Sequence, residues 1–218
     1  MLPEIEYKNG AKLIIISAPS GCGKGTILQE FRKDHDVFLS VSCTTRGPRE
    51  GEENGVHYHF LAEDEFTDMI EKDGFLEYAG YTGNRYGTPL APLLENLAAG
   101  RDVFLEIETQ GAFKVKELLP ETSMIFILPP SVSELRRRLL KRGTETPEKI
   151  EKRVAAAAKE IERAYEYEYV MMNDDLDLAV ADFTEIYDLI KSEDTADNRF
   201  APKNENIKTM IDEVLKNA

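Results

Sequence analysis

The apolar run at 12–17 reads Lys-Leu-Ile-Ile-Ile-Ser, with four large aliphatic residues in succession and no polar residue among them. Such a run predicts a strand covered on both faces, the condition of strands in a parallel sheet. Ile27, Leu28 and Phe31 then mark one face of a helix ending near Lys33. Further strands are predicted at 37–41, 103–108, 124–128 and 169–172, the third of these stopped by Pro129 and Pro130. Residues 90–99 have helical spacing and end at Gly100. A basic helix begins at Ser133, breaks in the turn at 143–147, and gives way to a second helix through Arg153 and the alanines after it. Ile207, Met210, Ile211, Val214 and Leu215 space as a terminal amphipathic helix, which follows a linker-like stretch at 193–206.

Between 42 and 89 the texture changes. Glycines at 47, 51, 55, 74, 80, 83 and 87 alternate with aromatics such as Tyr58, Phe60, Phe66, Phe75, Tyr78 and Tyr86, which predicts an inserted lobe of short strands and turns. Strands alternating with helices outside this lobe give an α/β protein with a doubly wound parallel sheet, whose ligands belong at the carboxyl ends of the strands. No internal repeat is visible.

Directly behind the first strand stands Ala18-Pro19-Ser20-Gly21-Cys22-Gly23-Lys24-Gly25-Thr26. Glycines at 21, 23 and 25 can take positive φ and turn successive amide N–H groups around an anion, and a helix opening near Lys24 adds its positive end. The Lys24 ammonium is then positioned for β- and γ-phosphate oxygens, so a nucleoside triphosphate is the first ligand to expect. The full phosphate-loop pattern wants Gly at 18 and a hydroxyl at 25. Here Ala18 and Gly25 stand there, and Thr26 is expected to supply the hydroxyl.

Charge narrows the partners. With 41 acidic and 27 basic residues the net charge is −14, which argues against a nucleic-acid backbone as partner and requires arginine and lysine to be clustered locally around an anionic ligand. Cys22 and Cys43 have no metal-ligand spacing and read as small thiols in a reducing compartment. No stretch is long and apolar enough to span a bilayer, and the amino terminus lacks a signal core, so a cytoplasmic setting without membrane attachment is expected. His57 and His59 flank Tyr58 with strand alternation and are expected to point away from it, as exposed or structural residues.

A second anion site is suggested at 42–49, where Arg46 and Arg49 bring two guanidinium forks beside a turn. Glu50, Glu52 and Glu53 stand near enough in sequence to pair with them. Tyr58 and Tyr86 offer hydroxyls to the same kind of group.

These residues fall into an order that resembles the guanylate kinase family. The likeness runs over about 12–177, through Ala-Pro-Ser-Gly-x-Gly-Lys at 18–24, Ser-x-Thr-Thr-Arg-x-Pro-Arg at 42–49, Gly-Glu-x-Asn-Gly-x-x-Tyr at 51–58, Phe-Leu-Glu-Tyr at 75–78, Gly-Asn-x-Tyr-Gly-Thr at 83–88, Arg-Gly-Thr-Glu-Thr at 142–146 and Asn-Asp-Asp at 173–175. The resemblance implies a phosphate-loop core at 1–41, 90–135 and 154–218, a mixed α+β GMP-binding lobe at 42–89 and a small helical lid at 136–153. It implies that Arg46, Arg49, Tyr58 and Tyr86 bind the GMP phosphate, that Ser42, Glu77 and Thr88 read guanine, and that Glu108 also lies at the GMP site. ATP falls to residues 18–26 with Arg142 and Asn173, the latter holding adenine. Lys24, Arg49, Arg142 and Arg153 are the implied catalytic groups. A carboxylate at 77 suits guanine, whose N1–H and 2-amino group are both donors, and repels adenine's N1 acceptor.

Two departures bear on the metal. The family's Asp-x-Asp is here Glu106-Ile107-Glu108, and the Gly-Lys-Gly-Thr form at 23–26 resembles adenylate kinases. Magnesium, arriving with ATP, is expected to be held by Thr26 and water. Of Arg136, Arg137 and Arg138, consecutive on a helix, at most one or two can face one site, Arg138 being the favoured one. The activity implied is direct transfer of the ATP γ-phosphoryl group to GMP or dGMP, by a monomer or homodimer. A kinase of another nucleoside monophosphate, suggested by Gly25-Thr26, and a guanylate-kinase-like protein-binding module are the competing readings.

Overall fold

The computed structural model describes residue 3 and residues 5–81, 83–142, 146–193 and 198–216. In chain order the elements are β1 (Leu13–Ser17), α1 (Lys24–Phe31), β2 (Phe38–Ser40), β3 (Cys43–Thr44), β4 (His59–Phe60), α2 (Glu63–Glu71), β5 (Phe75–Tyr81), β6 (Asn84–Pro89), α3 (Leu90–Ala98), β7 (Val103–Glu106), α4 (Thr109–Leu118), β8 (Ser123–Leu128), α5 (Val132–Arg142), α6 (Pro147–Glu162), β9 (Tyr169–Met172), α7 (Leu176–Ser192) and α8 (Glu205–Lys216). Among the described residues, one sheet has the order β2-β7-β1-β8-β9 and a second the order β4-β3-β6-β5. The pairs β2–β7 and β8–β9 are parallel, as the continuous apolar runs require, and Ile14, Ile15, Ile16, Phe104, Phe126 and Ile127 are wholly buried.

The chain divides into two compact units, 1–15 with 37–122 and 16–36 with 123–218, and β1 contributes residues to both. In the first unit, the small sheet is antiparallel in its β3–β6 and β5–β6 pairs and parallel in β3–β4. Its register sets Cys43 against Gly87 and Tyr86 against Thr44 on one side of β6, and Glu77 against Thr88 on the other. Phe66 and Phe75 pack beneath it with Cys43. A Cβ at Gly87 would meet the Phe75 ring at 2.8 Å, so the glycine lets the aromatic pair close onto the sheet.

The lobe holds more than strands and turns. Helix α2 opens with Glu63, Asp64 and Glu65, which favour the positive helix end, and the Glu65 carboxylate accepts from the Ala62 N–H at 2.8 Å. Its single fully buried residue is Phe66, too weak a periodic signal to stand out in a glycine- and aromatic-rich stretch. The strand expected over 103–108 stops at Glu106, because Glu108 becomes the residue that precedes α4 and its carbonyl accepts from the Ala112 N–H.

In the second unit, α1 and α7 pack together around Phe31 and Phe183, whose rings meet edge-on at 4.9 Å. Helix α8 forms at the expected place, burying Ile207, Ile211 and Val214, and packs against α6 and β9. Just before it, the Phe200 carbonyl accepts from the Val170 N–H at 2.8 Å, which satisfies a backbone donor of the edge strand β9. Among the described residues no helix is long and apolar enough to cross a membrane.

Candidate functional site

In the second unit the loop leaving β1 turns with positive φ at two of the three glycines expected to do so, Gly21 and Gly23, whereas Gly25 has no positive φ because it already lies inside α1. Gly21 and Gly23 have φ of 93° and 96°, the Cys22 N–H donates to Pro19 O at 3.0 Å, and α1 begins at Lys24 with Gly23 before it. The glycines are also needed sterically. A Cβ at Gly21 would lie 2.9 Å from Leu139 Cδ2, and one at Gly23 would lie 2.5 Å from Asn173 Nδ2. Position 18 makes no such demand. Ala18 has no positive φ and is buried, so its methyl belongs to the core, and the departure from glycine leaves the cradle unaltered.

Two side chains tie the loop from outside. Asn173 donates from Nδ2 to Cys22 O at 2.7 Å, and its own N–H donates to Leu128 O at the end of β8. Arg138 donates from one guanidinium nitrogen to Cys22 O at 3.1 Å and from another to Asn173 O at 3.3 Å, while Nε is held by Glu134 at 2.8 Å. Arg136 and Arg137 turn elsewhere, to Glu151 and Glu134 respectively. Arg153, on α6, donates to Ser20 Oγ at the loop. Lys24 and Thr26 lie in the first turn of α1 beside the loop, whereas the side chain of Arg142 lies outside the described residues, as do 143–145. The Cys22 thiol is inert packing: burial pushes it up to about 12, and it donates to Ile127 O.

The first unit holds the other set. Arg46 stands over the Tyr58 ring at 5.3 Å, and the rings of Tyr58 and Tyr86 are 6.0 Å apart. Glu52 takes a bidentate hold on Arg46, at 2.9 and 3.0 Å, and accepts from the Arg49 N–H at 2.7 Å. Glu52, one of the three acidic neighbours, thus folds back on the turn. Burial works to raise its carboxyl, but the bonds from Arg46 and Arg49 outweigh that and hold it below the usual range. The Tyr58 phenol is pushed up to about 12, first by burial and then by the carboxylates of Glu106 and Glu108 and by Tyr86. Both carboxylates thus act on the Tyr58 phenol. His57 is exposed, accepting from the Glu53 N–H, and His59 lies on β4.

Glu77 is 8% exposed and Thr88 1%, and the Thr88 hydroxyl donates to Glu77 Oε1 at 2.9 Å. Burial is the larger influence on Glu77 and raises its carboxyl, opposed by the Thr88 bond and the charge of Lys114. The β3–β6 register, continued one residue, brings Ser42 toward Thr88. A buried carboxylate with one oxygen spoken for retains acceptor capacity for a ligand with adjacent donors.

Arg138, favoured among the three arginines, and Glu52, one of the acids near the arginine turn, take the places expected of them, whereas Glu134 and Lys114 carry contacts that the sequence did not single out. Glu134 stands three and four residues before Arg137 and Arg138, a spacing that signals the pair. For a divalent metal, the described residues offer no cluster of His, Cys, Asp or Glu. They offer instead the exposed Thr26 hydroxyl, and open space where a Gly25 Cβ would stand. That donor set fits a magnesium ion held chiefly by phosphate oxygens and water.

The comparisons with known proteins agree with this architecture. The guanylate kinase family model matches residues 10–190. The guanylate kinase of Halalkalibacterium halodurans is 50% identical over 174 residues, covering 79% of this chain and 85% of its own. That of Deinococcus radiodurans is 43% identical over 207 residues, covering 94% and 87%. The crystal structure of guanylate kinase from Anaplasma phagocytophilum superposes with a TM-score of 0.69 at 30% identity, covering 90% of this chain and 93% of that one. With a glycine-formed loop behind β1 in one unit, a turn carrying Arg46 and Arg49 and a buried carboxylate in the other, and a family-model match over residues 10–190, this chain belongs to the guanylate kinase family.

Proposed function

We propose that this chain is an ATP-dependent kinase of GMP and dGMP, forming the nucleoside diphosphate and ADP by direct in-line transfer. The observation that carries the reading is Glu77: a buried carboxylate, oriented by Thr88, with capacity for the N1–H and 2-amino donors of guanine. Adenine would set its N1 lone pair against that carboxylate.

Arg46, Arg49, Tyr58 and Tyr86 receive the nucleoside phosphate. Glu52 keeps the Arg46 fork aligned, so the nucleoside phosphate would share Arg46 with that carboxylate. The loop amides and Lys24 receive the ATP phosphates, and Asn173 lies beside adenine. The Thr26 hydroxyl would help hold a magnesium ion arriving with ATP, whose chemistry would be to neutralise phosphate charge.

An oxygen of the acceptor phosphate attacks the γ-phosphorus as the bond from that phosphorus to the β–γ bridging oxygen breaks. The acceptor is already ionised at neutral pH, so the step needs no general base. Lys24, Arg49, Arg142 and Arg153 offset the charge of the two anions and of the phosphoryl group in flight. Exclusion of water by the lid protects ATP from hydrolysis. A coupled assay with ATP and GMP, dGMP, AMP, UMP or CMP tests the reading: GMP and dGMP are expected to be used far better than the rest, and a preference for AMP overturns it.

A further inference from the structure

Gly111 is the third residue of α4, buried, and its φ is outside the left-handed region. Any L-residue could adopt that backbone, and glycine inside a helix is less favourable than alanine. Packing supplies the reason for it. A Cβ there would lie 2.9 Å from Glu77 Oε2, 3.1 Å from Cδ and 3.4 Å from Oε1. The Glu77 carboxylate is thus bounded by the Thr88 hydroxyl at one oxygen and by bare helix backbone at the other. The helix is not free to retreat. Ala112 and Val115 are wholly buried, and Lys114, one turn beyond Gly111, donates from Nζ to the carbonyl oxygen of Tyr78, the residue after Glu77, at 2.7 Å.

We propose that Gly111 is a specificity-determining positioning residue: the missing side chain lets the first turn of α4 back the Glu77 carboxylate and fixes how far that carboxylate reaches toward the donors of a guanine edge. The inference rests on the GMP reading above. Gly111 touches no substrate in this account. It acts through Glu77, and the long reach of a glutamate at 77 is matched to the absence of a methyl at 111. The same reasoning separates this glycine from Gly21 and Gly23, which have positive φ.

The test is a double-mutant cycle of Gly111→Ala and Glu77→Asp, read by calorimetric GMP binding, by kcat/KM for GMP and AMP, by KM for ATP and by melting temperature. Gly111→Ala is expected to raise KM for GMP about 10- to 100-fold and to narrow the preference over AMP, leaving KM for ATP within about twofold. Its melting temperature should hold within a few degrees, because alanine's helix propensity offsets part of the crowding. Glu77→Asp withdraws the carboxylate from the added methyl, so the double variant should lose less than the product of the two single losses. Unchanged GMP affinity in Gly111→Ala, an equal loss for GMP and ATP, or a multiplicative cycle overturns the proposal. If Gly111→Ala does not fold, the double variant decides: a folded double variant with weakened GMP binding supports the proposal, and equal misfolding overturns it. Wild-type protein that binds no GMP removes the substrate reading itself, before any variant is compared.

Discussion

The Asn173 side-chain amide donates to the carbonyl oxygen of Cys22 at 2.7 Å, and its Nδ2 stands where a Cβ at Gly23 would come within 2.5 Å. The strand end after β9 and the phosphate loop are therefore fitted to each other at a single glycine. Gly23→Ala meets both the strain of φ 96° and this contact, and is expected to weaken ATP binding about 100-fold or more. Asn173→Ala removes one tether but leaves Arg138 on the same carbonyl, so a loss of about tenfold is expected, with GMP binding unchanged. Calorimetry with a non-hydrolysable ATP analogue distinguishes the two, and equal affinities in both variants and wild type would show the loop to be held without them.

Glu77→Gln separates specificity from stability. Replacing the carboxylate forfeits up to two charge-assisted hydrogen bonds, each worth about 1.5–3 kcal/mol, so kcat/KM for GMP should fall about 100-fold or more while KM for ATP holds. The stability effect has the opposite sign. A buried carboxyl raised above its unfolded value stabilises the fold when protonated, below its unfolded pKa, and that contribution is lost as pH rises through the folded value. The glutamine variant should gain on wild type in melting temperature as pH is raised from 4 to 8. A gap independent of pH would show that Glu77 is not the group under strain.

Glu52 runs the other way. Its carboxyl is lowered on balance, so its stabilising contribution is full above the unfolded carboxylate pKa and disappears as pH falls through the folded one. Glu52→Gln should destabilise the first unit by about 1–3 kcal/mol at pH 7, from the half-lost bidentate pair with Arg46, and by little at low pH. Denaturant titration at the two pH values measures the difference. The same variant leaves Arg46 without its resting anion, so GMP binding should become more dependent on salt.

Gly25→Ser places a hydroxyl in the first turn of α1, where nothing lies within 4 Å of the new Cβ. The fold should be unaffected, and the magnesium concentration giving half-maximal activity should fall several-fold if the new hydroxyl joins the donor set. An unchanged magnesium titration assigns the donor role to Thr26 and water, and Thr26→Val should then raise the requirement.

The chain alone determined what local pattern can carry. The apolar run at 13–16 followed by glycines at 21 and 23 fixes a strand, a turn and a helix start, because the cause of each lies within a few residues of it. The terminal helix at 205–216 was likewise legible. Helix α4 was not: it buries only Gly111, Ala112 and Val115, residues too small to write a hydrophobic period. Arg138, favoured over its two arginine neighbours, does reach the loop, but the ground for that lies in the tertiary structure, since it depends on how α5 is rotated about its axis. Only it could show that Ala18 costs the loop nothing, that Glu52 is the acid that closes on Arg46, and that Gly111 yields its side chain to Glu77. Those are contacts between residues brought together by register and packing, and no spacing along the chain encodes the distance at which two distant backbones come to rest.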